Sequence, residues 1–367
     1  MSGASAAATL TRHDAIRVLL VDDSSVVRAC LAQWVAAEPG FRVAGGAANG
    51  RQALDLLAVL APDIILLDID MPELDGLSTL PLLLARRPDL SVVMVSTLTR
   101  RNAKISLQCL EAGAVDYLTK PEAGGAFAPD RVTFRRDLIR KLTGLSARHR
   151  LPAGRQRPGS AQSPARPLLS VARAVPPRVV AIGASTGGPQ ALGGLLRDLG
   201  EVSKALPILI VQHMPELFTA VFAEQLRAQS GLAVAEAQDG ERLQAGRVYL
   251  APGRCHLGVA VLGGRPAVRL DGGPPVAHCR PAVDVLFSDV ARVFGPAALG
   301  VVLTGMGSDG TAGARALVEA GSTVMVQDEA TSVVWGMPGS IAKAGLAREV
   351  LPMSSIADAV RRTVRPS

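Results

Sequence analysis

At 367 residues, 48% apolar and 19% charged, the chain has the length for two or three domains and the composition of ordinary globular material. Aromatics make up only 3%, which points to aliphatic cores, and no apolar run approaches the ~18 residues of a membrane helix. The net charge of +7 suggests nucleic acid until it is located: residues 131–178 carry +11, which leaves −4 elsewhere, so no nucleic-acid partner is expected.

Cys30, Cys109, Cys255 and Cys279 stand singly, as expected in a reducing cytosol. Arg12, His13 and Asp14 interrupt what could otherwise be a leader, so the expectation is a cytoplasmic protein with a disordered tail over 1–14. Then an apolar strand, a turn and an amphipathic helix repeat five times. The strands read at 17–21, 42–45, 64–67, 91–95 and 115–117, and the helices at 25–37, 50–60, 77–85, 103–112 and 132–143. Strands this uniformly apolar argue for a parallel, doubly wound sheet.

Ligands of such sheets bind beyond the carboxyl ends of the strands. Asp22 and Asp23 lie there after the first strand, Asp68 after the third, Ser96 after the fourth and Lys120 after the fifth. Each alone is a solvated strand-end group. Together, three converging carboxylates imply a hard cation, Mg²⁺, and the hydroxyl and ammonium suit an incoming phosphoryl group. Leu-Val-Asp-Asp-Ser (20–24), Leu-Asp-Ile-Asp-Met-Pro-Glu-Leu-Asp-Gly (67–76) and Tyr-Leu-Thr-Lys-Pro (117–121) resemble the receiver domain of two-component response regulators. The resemblance implies that Asp68 accepts a phosphoryl group from a histidine kinase. It also implies that Asp23 ligates Mg²⁺ directly, Asp22 through water and Asp70 through its carbonyl, with Ser96 and Lys120 as switch residues. A cis bond is expected at Pro121.

Six prolines and no acid lie between Leu151 and Pro177, so residues 145–177 read as a semi-extended linker. A second α/β pattern follows, with strands at 179–182, 208–212, 247–251, 301–304 and 323–327 and helices at 188–199, 215–229, 282–294 and 311–320. Its first turn is Ile-Gly-Ala-Ser-Thr-Gly-Gly-Pro (182–189), which sets Ser185 between a strand end and a helix start. Ser185 is a nucleophile there, or the glycines merely permit a close turn or cradle a phosphate. Of five histidines, His213 follows the next strand and so lies at the same sheet edge. Asp309 tips the glycine turn of 302–310; it either orients the imidazole or caps the helix that begins near Thr311.

The order Ser185, His213, Asp309 is not the Ser, acid, His order of the α/β-hydrolases. A dinucleotide fingerprint also fails, because Ser185 stands where its second glycine belongs. The stretches 182–188, 211–215, 249–253, 280–287, 303–310 and 334–338 are similar to the catalytic domain of the chemotaxis protein-glutamate methylesterases. That resemblance implies a Ser185–His213–Asp309 triad, with Thr186 and Met306 beside it near the oxyanion. Methyl-accepting chemoreceptors would be the substrates, the only link to a membrane, and the hydrolysis needs no cofactor. Cys279 departs from the pattern, since a basic or imidazole side chain is expected before Arg280-Pro281.

The expected fold class is thus α/β throughout. A flavodoxin-like five-stranded receiver (15–144) is followed by a flexible linker and by a doubly wound hydrolytic domain (178–367) that is not of the α/β-hydrolase fold. A phospho-switched module that binds nucleotide or nucleic acid without catalysis is the competing reading. The same enzyme in a receptor pathway outside chemotaxis is another.

Overall fold

Strands buried on both faces read as continuous apolar runs, and two parallel sheets account for nearly all such runs here. The computed structural model describes residues 15–120, 129–149, 175–200 and 202–364. The tail, Pro121 with its expected cis bond, and residues 150–174 of the linker lie outside the described residues. The chain divides into two compact units, each built on one sheet.

The first sheet comprises β1 (Ile16–Val21), β2 (Phe41–Ala47), β3 (Ile64–Asp68), β4 (Ser91–Thr97) and β5 (Asp116–Lys120). Its order is β2-β1-β3-β4-β5, all parallel, which is the flavodoxin-like order. The helices are α1 (Ser25–Ala36), α2 (Gly50–Leu60), α3 (Gly76–Arg86), α4 (Arg100–Glu111) and α5 (Pro129–His149). Side-chain oxygens of Ser24, Asn49 and Asp75 accept the free N–H groups at the starts of α1, α2 and α3. Helix α5 runs past residue 144 because its apolar stripe does: Phe134, Leu138, Leu142 and Leu145 are all buried. His149 in its last turn lies 2.9 Å from the Ser91 hydroxyl through Nε2.

The second unit holds β6 (Val179–Ala184), α6 (Gly188–Leu199), α7 (Val202–Ala205), β7 (Ile208–Gln212) and α8 (Glu216–Ser230). It continues with β8 (Ala233–Glu236), β9 (Arg247–Leu250), β10 (His256–Leu262), β11 (Arg265–Asp271), α9 (Val283–Phe294) and β12 (Ala298–Val302). It ends with α10 (Thr311–Glu319), β13 (Thr323–Gln327), α11 (Met337–Lys343), β14 (Glu349–Leu351) and α12 (Met353–Val364). Seven strands form a parallel sheet in the order β14-β13-β12-β6-β7-β9-β8, while β10 and β11 pair separately as an antiparallel hairpin. The hairpin turns through Gly263 and Gly264, both with positive φ, as a two-residue primed turn requires.

From β6 the chain builds outward through β7 to one edge, then returns to β12 and builds to the other. The crevice beyond the ends of β6 and β12 is therefore the topological switch point, where open α/β sheets take their ligands. Strand β12 starts at Ala298, three residues before the expected 301, because Leu299 and Gly300 pair on both sides, with β6 and with β13. No helix among the described residues is long and apolar enough to cross a membrane.

Phe287 on α9 is fully buried and seated by two glycines: a Cβ on Gly313 would meet its Cβ at 2.5 Å, and one on Gly300 its Cε2 at 3.4 Å. Phe287→Ala should cost about 3–5 kcal/mol of this unit's stability, measured by denaturant unfolding. A loss below about 1 kcal/mol would mean that the α9 contact is not core.

Candidate functional sites

In the first unit the expected charges do converge. Carboxylate oxygens of Asp22, Asp23 and Asp68 lie within 4.8 Å of one another, with Asp22 and Asp68 buried and Asp23 exposed. The Lys120 ammonium bridges Asp22 Oδ2 at 2.7 Å and Asp68 Oδ2 at 2.8 Å. Register explains the meeting: Asp68 pairs with Val95, Ser96 with Thr119 and Thr97 with Lys120, so the strand ends align. Ser96 is buried there, whereas Asp70 is exposed on the loop after β3. An all-carboxylate donor set in which one member faces solvent fits a hard, partly hydrated cation such as Mg²⁺.

Burial is the main influence on Asp68. It carries the carboxyl up to about 6, against the pull of Lys120 and with help from the Asp22 charge.

In the second unit, the strand ends carry a hydroxyl, an imidazole and a carboxylate. Ser185 follows β6 in a turn closed by Gly188 N–H donating to Ser185 O at 2.7 Å, just before the positive end of α6. Gly187 has φ +76 and no room for a side chain, since a Cβ there would meet Val333 Cγ2 at 2.6 Å. His213 follows β7, and its N–H donates to Ala184 O at 3.1 Å, which holds it beside the Ser185 turn. The Gln212 side-chain amide donates to both carbonyls, Ser185 O at 3.0 Å and His213 O at 3.3 Å.

His213 Nε2 and Asp309 Oδ2 are 2.7 Å apart. Asp309 is not the cap of α10, whose first turn starts from Gly310 with no side-chain cap. Instead it caps α9 from outside: Oδ2 accepts from Val283 N–H at 2.7 Å, and Oδ1 accepts from Asp284 N–H at 3.0 Å and Gly310 N–H at 2.9 Å. Burial alone would raise this carboxyl, but the His213 ring and those N–H groups hold it below the usual range. Asp284 repays the contact, its Oδ1 accepting from Gly313 N–H at 2.7 Å, and burial together with the Asp309 charge raises its own carboxyl.

The Ser185 hydroxyl makes no hydrogen bond among the described residues. The expected contact with His213 is not formed; Cys279 Sγ lies 3.7 Å from His213 Nδ1 instead. Burial disfavours the charged ring, yet the Asp309 and Cys279 contacts outweigh it and raise His213 to about 9. Thr186 is buried in the turn after β6, and Met306 is half-buried in the turn after β12.

Several supports were not anticipated. Thr304 Oγ1 donates to Thr186 O at 2.9 Å, and Thr304 N–H donates to Gln327 Oε1 at 2.7 Å. Gly305, against which Ser185 Cβ would press at 2.9 Å if a Cβ were added, accepts N–H bonds from Gly336 and Met337. The other candidate histidines do not enter the constellation. His256 is buried with Nδ1 accepting from Ala282 N–H at 3.2 Å and Nε2 against Pro274 O at 3.1 Å, and His278 is exposed.

The CheB methylesterase family model matches residues 180–360, and the response regulator receiver domain model matches residues 18–127. A protein-glutamate methylesterase/protein-glutamine glutaminase of Rhodopseudomonas palustris is 45% identical over 95% of this chain and 94% of its own. The chain belongs to this family. A Caulobacter vibrioides member is 48% identical over 93% of this chain and 96% of its own. Among solved structures, the Thermotoga maritima CheB methylesterase catalytic domain is 41% identical over 98% of its chain and 51% of this one, with a TM-score of 0.49. Membership in a hydrolase family does not favour the non-catalytic binding module.

A raised Asp68 has a thermodynamic sign. The folded carboxyl keeps its proton to a higher pH than the unfolded one, so folding stability falls as pH rises from about 4 to about 6. By pH 7 the loss is on the order of 3 kcal/mol. Without divalent cations, Asp68→Asn should raise the thermal midpoint of the receiver at pH 7 and leave it nearly unchanged at pH 4. An unchanged midpoint at pH 7 would contradict the burial argument.

Proposed function

We propose that this chain is a phosphorylation-activated hydrolase that removes methyl esters from chemoreceptor glutamates and deamidates receptor glutamines to glutamate. The observation that carries the reading is the pair of half-buried His213 and buried Asp309, 2.7 Å apart, at the switch point beside the Ser185 turn. Ser185 Oγ attacks the ester carbonyl as His213 Nδ1 takes its proton. Asp309 holds the Nε2 proton and stabilises the ring as it becomes positive. Backbone donors at Thr186, just before the amino end of α6, and at Met306, in the turn after β12, receive the oxyanion. Methanol leaves, or ammonia from an amide, and water releases the acyl group from Ser185.

The receiver supplies the control. Asp68 accepts a phosphoryl group from a histidine kinase, with Lys120 and Ser96 as its partners at the strand ends. Asp22, Asp23 and the Asp70 carbonyl would hold Mg²⁺, which neutralises the charge that the phosphoryl group brings. The enzyme acts in the cytoplasm and meets the membrane through its receptor substrates.

Methanol release from methyl-labelled receptor membranes tests both halves. Ser185→Ala should lower turnover on the order of 10⁴-fold or more and leave receiver phosphorylation intact. Asp68→Asn should keep the basal rate and lose stimulation by a small phosphodonor. Undiminished turnover in the first variant, or full stimulation in the second, would overturn the assignment.

The pH profile is a separate check. Because His213 holds its proton to about 9, the base form grows as pH rises, and turnover should climb from pH 7 toward 9. Cys279→Ala removes one of the contacts that raise the ring, so its profile should shift to lower pH. A profile flat above pH 7 in the parent protein would contradict this.

A further inference from the structure

Cys279 has no cysteine partner, and its surroundings suggest another use. It closes a tight turn in which Val276 N–H donates to Cys279 O at 3.0 Å and Cys279 N–H donates to Val276 O at 2.8 Å. Ala277 and His278 between them both take positive φ. The turn sets a buried thiol 3.7 Å from Nδ1 of His213, while Nε2 is committed to Asp309 at 2.7 Å.

In the neutral ring with its proton on Nε2, the Nδ1 lone pair thus faces the sulfur. A carboxylate behind the ring, an imidazole lone pair in front and a thiol facing it reproduce the way proteins orient a zinc-binding histidine. The spacing agrees as well. Zn–S near 2.3 Å and Zn–N near 2.0–2.1 Å at a tetrahedral angle put the donors about 3.5 Å apart, close to the separation found. The ligand atoms of His213, Cys279 and Asp309 all lie within 4.8 Å of one another. Two waters can complete the four-coordinate shell.

We propose that Cys279 Sγ and His213 Nδ1 form an inhibitory site for a soft divalent cation, Zn²⁺ being the best fit. Thiolate and imidazole select zinc over magnesium, and the carboxylates of the receiver select the reverse. A cation on Nδ1 occupies the lone pair that would take the Ser185 proton, so turnover stops without unfolding. The inhibitory effect rests on the hydrolase reading; the metal site itself does not.

The experiment uses the full chain in excess Mg²⁺, which keeps the receiver carboxylates filled. Co²⁺ is titrated as a spectroscopic probe, and methanol release is followed in parallel with Zn²⁺. A thiolate-to-cobalt charge-transfer band should saturate at one equivalent, yield to Zn²⁺, persist in Ser185→Ala and vanish in Cys279→Ser. Zn²⁺ should abolish methanol release and a chelator restore it. Relative to its own metal-free rate, Cys279→Ser should need at least about tenfold more Zn²⁺, the lower end of what losing even an outer partner costs. No band together with turnover indifferent to Zn²⁺ overturns the site. So does a band that survives in Cys279→Ser, which would place the metal on Cys30, Cys109 or Cys255. A band of the expected behaviour in a protein with no esterase activity keeps the site and rejects the hydrolase reading.

Discussion

An ionised carboxylate that is only 3% exposed has to be held by fixed donors, and Asp309 is held by the start of α9. The N–H groups of Val283 and Asp284 are free because they open a helix, and the dipole of that helix favours negative charge at the same point. Asp284 then turns back to bind Gly313 on α10, which locks the two helices that flank the carboxylate. Phe287, seated against Gly300 and Gly313, fixes how α9 meets β12 and α10. The imidazole of His213 depends on this whole assembly, since its Nε2 finds an anion there only while α9 stays docked.

The receiver meets the same cost of burial without such help. Asp68 has one backbone N–H, from Ile69 at 2.8 Å, and shares Lys120 with Asp22. Its carboxyl is therefore raised, whereas that of Asp309 is lowered. The difference suits the two roles proposed for them. A group that only orients a ring is best kept permanently charged and satisfied. A group that takes up a phosphoryl load and a cation is better left unsatisfied, so that those partners relieve it.

The receiver was legible because its five strands are apolar runs and its charges sit at strand ends, both of which are local signals. Helix α5 ends beyond the expected 143 because Leu138, Leu142 and Leu145 continue its buried period, which basic neighbours obscure in the sequence. Strands β8 and β14 are edge strands of four and three residues, too short for any pattern to announce them. The β10–β11 hairpin is announced in the sequence only by its Gly263-Gly264 turn. In the second unit, the nearness of Ser185, His213 and Asp309 follows from strand-end position, but two facts do not. That Asp309 caps α9 rather than α10, and that Cys279 faces Nδ1, are tertiary contacts with no local trace.

Strand order also bears on which partner each ring nitrogen faces. In the familiar serine triad the acid holds Nδ1–H and Nε2 is the base. Here the site is spread over β12, β6 and β7 in that order, with Ser185 on the middle strand and Asp309 and His213 on either side. Strands lie about 4.8 Å apart, so roughly 10 Å of sheet edge separates β7 from β12, and the turn that carries Asp309 and the two side chains close that gap together. Nε2, the nitrogen farther from the backbone, makes the contact. Nδ1 is left near the His213 backbone, which Gln212 and Ala184 pin beside the Ser185 turn. In the proposed mechanism that leaves Nδ1 as the base, and it stands open to the side chain at position 279. A thiol there is close enough to raise the ring and soft enough to share a metal with it.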